Sequence, residues 1–275
     1  MKEVTVAAIQ LVSAIGAPGE NATRMKAWLN RSREQGADIA FFPEGSLTGY
    51  TTEHAGEVAL ELANNASFEL EERARSLGIA VGYGLAERDA STDALYQTYV
   101  VADESARLVY RKTHLGRREQ GAYSAGNDLP VADIAGIRLG VQLCWEGHIP
   151  DIATTLRSKG AELIVEPHAG GLGGRRRVES WNRFLPARAS DNGVFVVACN
   201  ALQPLGQPNG ATRHRETGGG LAAYGPNGRL LGSYAGPDEH ILIVHVGGNL
   251  PREGEDGMRS ISYFDRRRPE LYTQI

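Results

Sequence analysis

The feature that most constrains this chain is how its apolar spacing keeps changing. In EVTVAAIQL (residues 3–11) apolar Val4, Val6 and Ala8 alternate with their neighbours, from about Glu20 to Gln35 the repeat lengthens to three or four, and ADIAFF (37–42) is a short apolar run. Alternation at every second residue marks a strand, a three-to-four spacing marks an amphipathic helix, and a short apolar run marks a buried strand. Ala22, Met25 and Leu29 share one helical face, and Gly36 ends the helix. The same succession continues with a helix over about Glu57 to Ser76 and a strand at GIAVGYGLAE (78–87). A strand pair follows at YQTYVVAD and ARLVYRK, turning at Asp103-Glu104, then a strand at GIRLGVQLCW (136–145). Next come a helix near Pro150 to Ser158, the strand AELIVEP, and a helix from Val178 to Asn192. VFVVACN, GGLAAYG, GRLLGSY and HILIVHV complete the strands. Helices interleaved with strands early, then hairpin-like strands late, predict an α/β protein with mixed sheets. No internal repeat or low-complexity linker interrupts the pattern, so residues 1–246 read as one domain and 247–275 as a C-terminal tail. The stretches GGLGGRRR (170–177) and QPLGQPNGATRHRETGGG (203–220) read as surface loops.

Charge narrows the function. A formal net charge of −4 over 275 residues gives no electrostatic reason to bind nucleic acid or an anionic membrane. The arginine runs at 175–177 and 266–268 read as solvated faces. At the N-terminus Glu3, Thr5 and Gln10 interrupt the apolar run, which reads better as a strand than as a signal peptide, and no apolar stretch approaches the ~20 residues of a membrane-spanning helix. Two cysteines are too few for a disulfide framework, so a reducing cytoplasm is the expected setting.

Three charged or nucleophilic residues end apolar strands. Cys144 closes VQLC before the polar WEGHIPD, where the amides of the next turn are free to meet an anion. Glu44 follows AFFP, where apolar surroundings would raise its pKa toward that of a general base. Lys112 ends ARLVYRK. A thiol with an ordinary pKa near 8.5 needs such a base or cation to become a nucleophile. Cys199, inside VFVVACN, has only apolar neighbours in sequence and reads as core. Three other chemistries compete. His148 or His168 could serve Cys144 as a base, although neither sits in a motif. A metalloenzyme is disfavoured because the seven histidines form no His-x-x-x-His pair and no Cys-x-x-Cys is present. GGLGG lacks the lysine and hydroxyl residue of a phosphate-binding loop and reads better as a mobile loop over the site. A non-catalytic interaction module remains the alternative from another class.

The sequence resembles the nitrilase superfamily of carbon–nitrogen hydrolases over essentially its whole length. FFPEGSLTGY, YRKTHL and VQLCWEGHIPD are similar to that family's glutamate, lysine and cysteine motifs, in the same order. RFLPARASDNGVFVVACN, GGLAAYGPNGRLLG and YFDRRRPELY extend the likeness to the tail. The resemblance implies a four-layer αββα sandwich, no cofactor or metal, and a homodimer or higher homo-oligomer with the tail at its interface. It assigns Glu44 as general base, Lys112 as oxyanion stabiliser and Cys144 as nucleophile, with Glu119 in RREQGAYSAG matching a second glutamate. The implied partner is a small amide, carbamoyl compound or nitrile, hydrolysed through a thioester on Cys144. Trp145-Glu146 is similar to the pair after the nucleophile in true nitrilases, whereas Lys112-Thr113-His114-Leu115 and the RRPELY tail look like amidase and carbamoylase branches. The reading favours the amidase side. By position, Tyr50, Trp145, His148, His168 and Trp181 are the candidate substrate contacts, and Arg175 joins them if its loop folds inward.

Overall fold

The computed structural model describes residues 3–202, 218–247 and 263–272. In chain order the chain forms β1 (Val4–Gln10), α1 (Pro18–Glu34), β2 (Ile39–Phe41), α2 (Ala55–Val58), α3 (Asn65–Leu77) and β3 (Ala80–Arg88). Then follow β4 (Leu95–Ala102), β5 (Arg107–Arg111), β6 (Val131–Ile134), β7 (Ile137–Val141), α4 (Pro150–Ser158) and β8 (Leu163–His168). The chain continues through α5 (Gly174–Trp181), α6 (Leu185–Asn192), β9 (Phe195–Asn200), β10 (Leu221–Tyr224), β11 (Leu230–Tyr234) and β12 (His240–Val246). Two six-stranded sheets result, in the orders β12-β1-β2-β3-β4-β5 and β11-β10-β9-β8-β7-β6. Each is mixed. β1-β2-β3 and β7-β8-β9 run parallel, and the outer strands pair antiparallel.

Strand alternation builds the layers. Val4, Val6 and Ala8 of β1 face inward, where they join Ile39, Phe41, Leu139, Val141, Val165 and Val197 in a core between the two sheets. The intervening Ala7 and Ile9 face the other way, against Met25 and Leu29 of α1 and Leu70 of α3. Across the second sheet Ile164, Val196 and Ala198 pack on Leu156 of α4, Trp181 of α5 and Leu185 and Ala189 of α6. The order is therefore helix, sheet, sheet, helix, the four-layer αββα sandwich. Cys199 is fully buried in the inter-sheet core.

Helix boundaries depart from the pattern reading in two places. The helix expected over Glu57–Ser76 is two pieces, because Asn64 caps α3 by accepting from the Ser67 amide at 2.9 Å. The helix expected over Val178–Asn192 breaks after Trp181, where Pro186 enters the first turn of α6. β6, not predicted, pairs β7 as a hairpin, and β7 itself stops at Val141, before Cys144. Gly170–Gly173 form a loop, but the arginines after it begin α5. Most of the loop at 203–220 and of the tail at 247–275 lies outside the described residues. No helix among the described residues is long and apolar enough to cross a membrane.

Candidate active site

Glu44 is delivered by β2. Pro43 has no N–H to extend the ladder, so the chain leaves the sheet with Glu44 at the turn. That turn rests on β3 without clearance: a Cβ on Gly84 would lie 2.4 Å from the Gly45 nitrogen. Lys112 comes from β5, and its amide still donates to the Gln97 carbonyl at 2.8 Å, which fixes its backbone to β4. Its ammonium bridges two acids, donating to Glu44 Oε1 at 2.9 Å and Glu119 Oε1 at 2.8 Å. All three side chains are buried. Glu119 is held in turn by the Tyr50 hydroxyl at 2.9 Å and the Gly116 amide at 2.6 Å.

Cys144 arrives from the second sheet. It is half-buried and opens a 3-10 turn over Cys144–His148. Its φ of +57° lies in the left-handed region that β-carbon sterics disfavour. Glu146, two residues on and fully buried, ties this turn to the lysine loop. Its carboxylate accepts from the amides of Leu143 (2.7 Å), Thr113 (3.0 Å) and His114 (2.9 Å) and from the hydroxyls of Tyr110 and Thr113 (2.8 Å each). One carboxylate thus sets the spacing between the residue before Cys144 and those after Lys112.

Burial raises the Glu44 carboxyl to about 7, with Lys112 pulling it down and Glu119 adding to the rise. Its Oε2 is buried with no hydrogen-bond partner among the described residues. Burial alone would discharge Lys112, but Glu44, Cys144 and Glu119 outweigh it and hold the ammonium charged above its ordinary value. Burial, then Glu44, pushes the Cys144 thiol up to about 12, against the pull of Lys112 and Arg177. The resting set is a neutral thiol beside an ammonium flanked by two carboxyls.

A cavity of about 580 Å³ is lined by Tyr50, Lys112, Glu119, Cys144 and Trp145 among others; Glu44 is not in its wall and is joined to it through Lys112. His148, His168 and Trp181 do not line it. His148 is exposed, 4.0 Å from the Phe184 ring centre. His168 and Trp181 are fully buried and bonded to each other at 3.0 Å, with Glu166 3.2 Å from the same His168 nitrogen. No hydrogen bond joins a histidine to Cys144 among the described residues. Arg175 points outward and pairs with Glu179 at 2.9 Å. Pattern reading missed Glu146 and Glu166 as structural acids. An acid inside the turn after a strand-end cysteine, where amides are unpaired, was the available signal for Glu146.

A carboxyl and an ammonium from one sheet meeting a thiol from the other define a cysteine hydrolase of the αββα sandwich class. The family model for carbon–nitrogen hydrolases matches residues 5–250, and the chain belongs to that family. It is 27% identical to a 2-oxoglutaramate amidase of Bacillus subtilis, over 98% of this chain and 99% of that one. It is also 27% identical to a nitrilase of Pyrococcus abyssi, over 96% and 97% of the two chains. Among solved structures, a glutamate-to-glutamine variant of an amidase from a Nesterenkonia species matches with a TM-score of 0.80 at 26% identity, covering 98% of this chain and 95% of that one. That structure shows covalent addition of the acetamide moiety of fluoroacetamide at the active site cysteine. The chain is an enzyme of the nitrilase superfamily that acts on carbon–nitrogen bonds other than peptide bonds.

Proposed function

We propose that the enzyme hydrolyses a small amide through a thioester on Cys144, with Glu44, Lys112 and Glu119 as the rest of the catalytic set. The observation that carries this reading is the Lys112 ammonium held between two buried carboxyls at the wall of the cavity that contains Cys144. Because the thiol lies well above its ordinary pKa, the thiolate forms only as the proton moves, in step with attack. The Glu44 carboxylate takes that proton while sulfur bonds to the amide carbon and the carbonyl electron pair shifts to oxygen. Lys112 and the Trp145 amide, at the unpaired start of its turn, stabilise that oxyanion. On collapse the C–N bond breaks, Glu44 gives its proton to the departing nitrogen, and ammonia or an amine leaves. Glu44 then takes a proton from water, which attacks the thioester, and the expelled sulfur is reprotonated. The balance is amide plus water to acid plus amine. Glu119, bonded to Lys112, holds the ammonium on station.

Equal identity to a curated nitrilase keeps nitriles in the test. Small primary amides, carbamoyl compounds and nitriles are incubated with the protein and ammonia is measured. Amides should release it, Cys144→Ala should abolish release, and Lys112→Met should lower it by about 10²–10³. Fluoroacetamide should add mass at Cys144 and not to Cys144→Ala. Nitrile turnover without amide turnover would replace the amidase reading.

The same reading places residues 1–246 as the catalytic domain and the tail as a contact between two copies in a cytoplasmic homodimer. Exposed Tyr263, Leu271 and Tyr272 support the tail assignment, and two unpaired cysteines support the compartment. Sedimentation of the full chain against one ending at Val246 tests it: the full chain should be the larger species by a factor of about two or more.

A further inference from the structure

Arg175, Arg176 and Arg177 are adjacent in sequence but not in role. Successive residues of a helix point ~100° apart, so Arg175 and Arg176 are exposed while Arg177 turns toward the protein and is half-buried. Its Nη2 donates to the Gly170 carbonyl at 2.9 Å, and its guanidinium carbon stands 5.8 Å from the centre of the buried Trp181 ring. Glycines make the room: a Cβ on Gly171 would come within 2.9 Å of Nη2, and one on Gly220 within 3.0 Å of Cγ. Among the described residues this cation lacks an anion. No carboxylate lies within ion-pair distance of it among the described residues, and its Nε is buried with no hydrogen-bond partner among them. Glu166 is the buried acid whose charge it would feel, but burial pushes that carboxyl well above its ordinary range and so disfavours its charged form. His168, beside it, is held neutral by burial. An unpaired guanidinium taken out of water is costly unless a ligand completes it.

Its position tells what kind of ligand. β7, β8 and β9 run parallel, and beyond their carboxyl ends the chain presents Cys144, Gly170 and Asn200 on one side of the sheet, with the Gly170 amide bonded to Asn200 at 2.7 Å. Arg177 is bonded to that same Gly170. Its charge reaches both Cys144 and Glu44, yet no hydrogen bond joins it to Cys144 among the described residues. Arg177 is not among the residues that line the cavity around Cys144, so the guanidinium stands back from the reacting sulfur at the carboxyl ends of β7 to β9, and a ligand that meets it extends past Cys144. A guanidinium with free N–H groups matches a carboxylate better than any neutral group.

We propose that Arg177 anchors a carboxylate on the acyl part of the substrate, making it the residue that selects acidic amides over neutral ones of the same length. The proposal rests on the amidase reading and deepens it.

Succinamate and butyramide form a matched pair, with a carboxylate in one where the other has a methyl group. The wild-type kcat/KM should favour succinamate, and Arg177→Met should cut that preference about 100-fold, chiefly through KM. Arg177→Lys should restore part of it, which a merely misfolded variant would not allow. A preference for butyramide, or equal losses on both substrates in Arg177→Met, overturns the proposal. Binding is measured separately by calorimetry with Cys144→Ala, which cannot turn over. Succinamate should bind it, and adding Arg177→Met should abolish that heat. If binding behaves so while no amide is hydrolysed by the wild type, the anchor stands and the amidase reading falls. If butyramide is hydrolysed but succinamate binding ignores Arg177, the anchor falls and the amidase reading stands.

Discussion

Glu44 sits between two opposing influences, of which burial is the larger. Burial favours its neutral form and Lys112 its charged form, and the balance lands at about 7. A base must be ionised to work, so activity should be nearly full above that value and fall as pH drops through it. At pH 6 about a tenth of the carboxylate remains, so kcat/KM should fall about tenfold between pH 8 and 6 with unit slope. A flat profile over that interval would remove Glu44 as the base. At this scale the sequence is readable when a polar group ends an apolar run. Glu44, Lys112 and Cys144 all meet that condition; Lys112 and Cys144 line one cavity, and Glu44 is bonded to Lys112 outside its wall. Glu119 lies in a loop with no periodicity and stood out only through the resemblance. Glu146 was readable only as an acid near unpaired amides, and Arg177 was not readable as what it is. Glu146 is defined by amides some thirty residues away in sequence, and Arg177 by which side of α5 faces inward.

Elements meet through Glu146. The loop leaving β5 and the turn leaving β7 belong to different sheets, and this buried carboxylate gathers donors from both. Glu146→Ala leaves those amides without an acceptor, each costing ~1–3 kcal/mol if it stays buried. The loops should separate before the sheets do. We therefore expect hydrogen exchange at Thr113, His114 and Leu143 to speed markedly, and kcat to drop about tenfold or more because the distance from Lys112 to Cys144 is no longer fixed. Unchanged exchange at those three amides would show that other contacts set the spacing. Periodicity located nearly every strand and the helix near Pro150, because those stretches keep one period from end to end. It ran α2 into α3 and α5 into α6, since a polar cap such as Asn64 or a helix-start proline such as Pro186 leaves the apolar stripe unbroken while ending the hydrogen-bond ladder.

Over the whole molecule, the site spans two sheets, and the core between them aligns its halves beneath the loops that Glu146 joins. Phe41 of β2 is fully buried in that core and lies three residues before Glu44. Phe41→Ala should cost about 3–5 kcal/mol and lower activity at temperatures where circular dichroism still shows a folded protein. Loss of activity only along with unfolding would mean that the sheets keep their alignment without this side chain. The mixed-sheet class was readable from the order of strands and helices, whereas the face-to-face stacking was not, because no local pattern records which sheet a strand joins. The proposed nucleophile bears a cost of its own within this frame. Cys144 holds a backbone twist that suits glycine, a penalty of roughly 1–2 kcal/mol for a residue with a side chain. Cys144→Gly should therefore melt above Cys144→Ala, although on the proposed mechanism both are inactive. The reverse order would show the twist to be strain-free. If it holds, a search for heat-resistant variants that ignores turnover would tend to discard the one sulfur the chemistry needs.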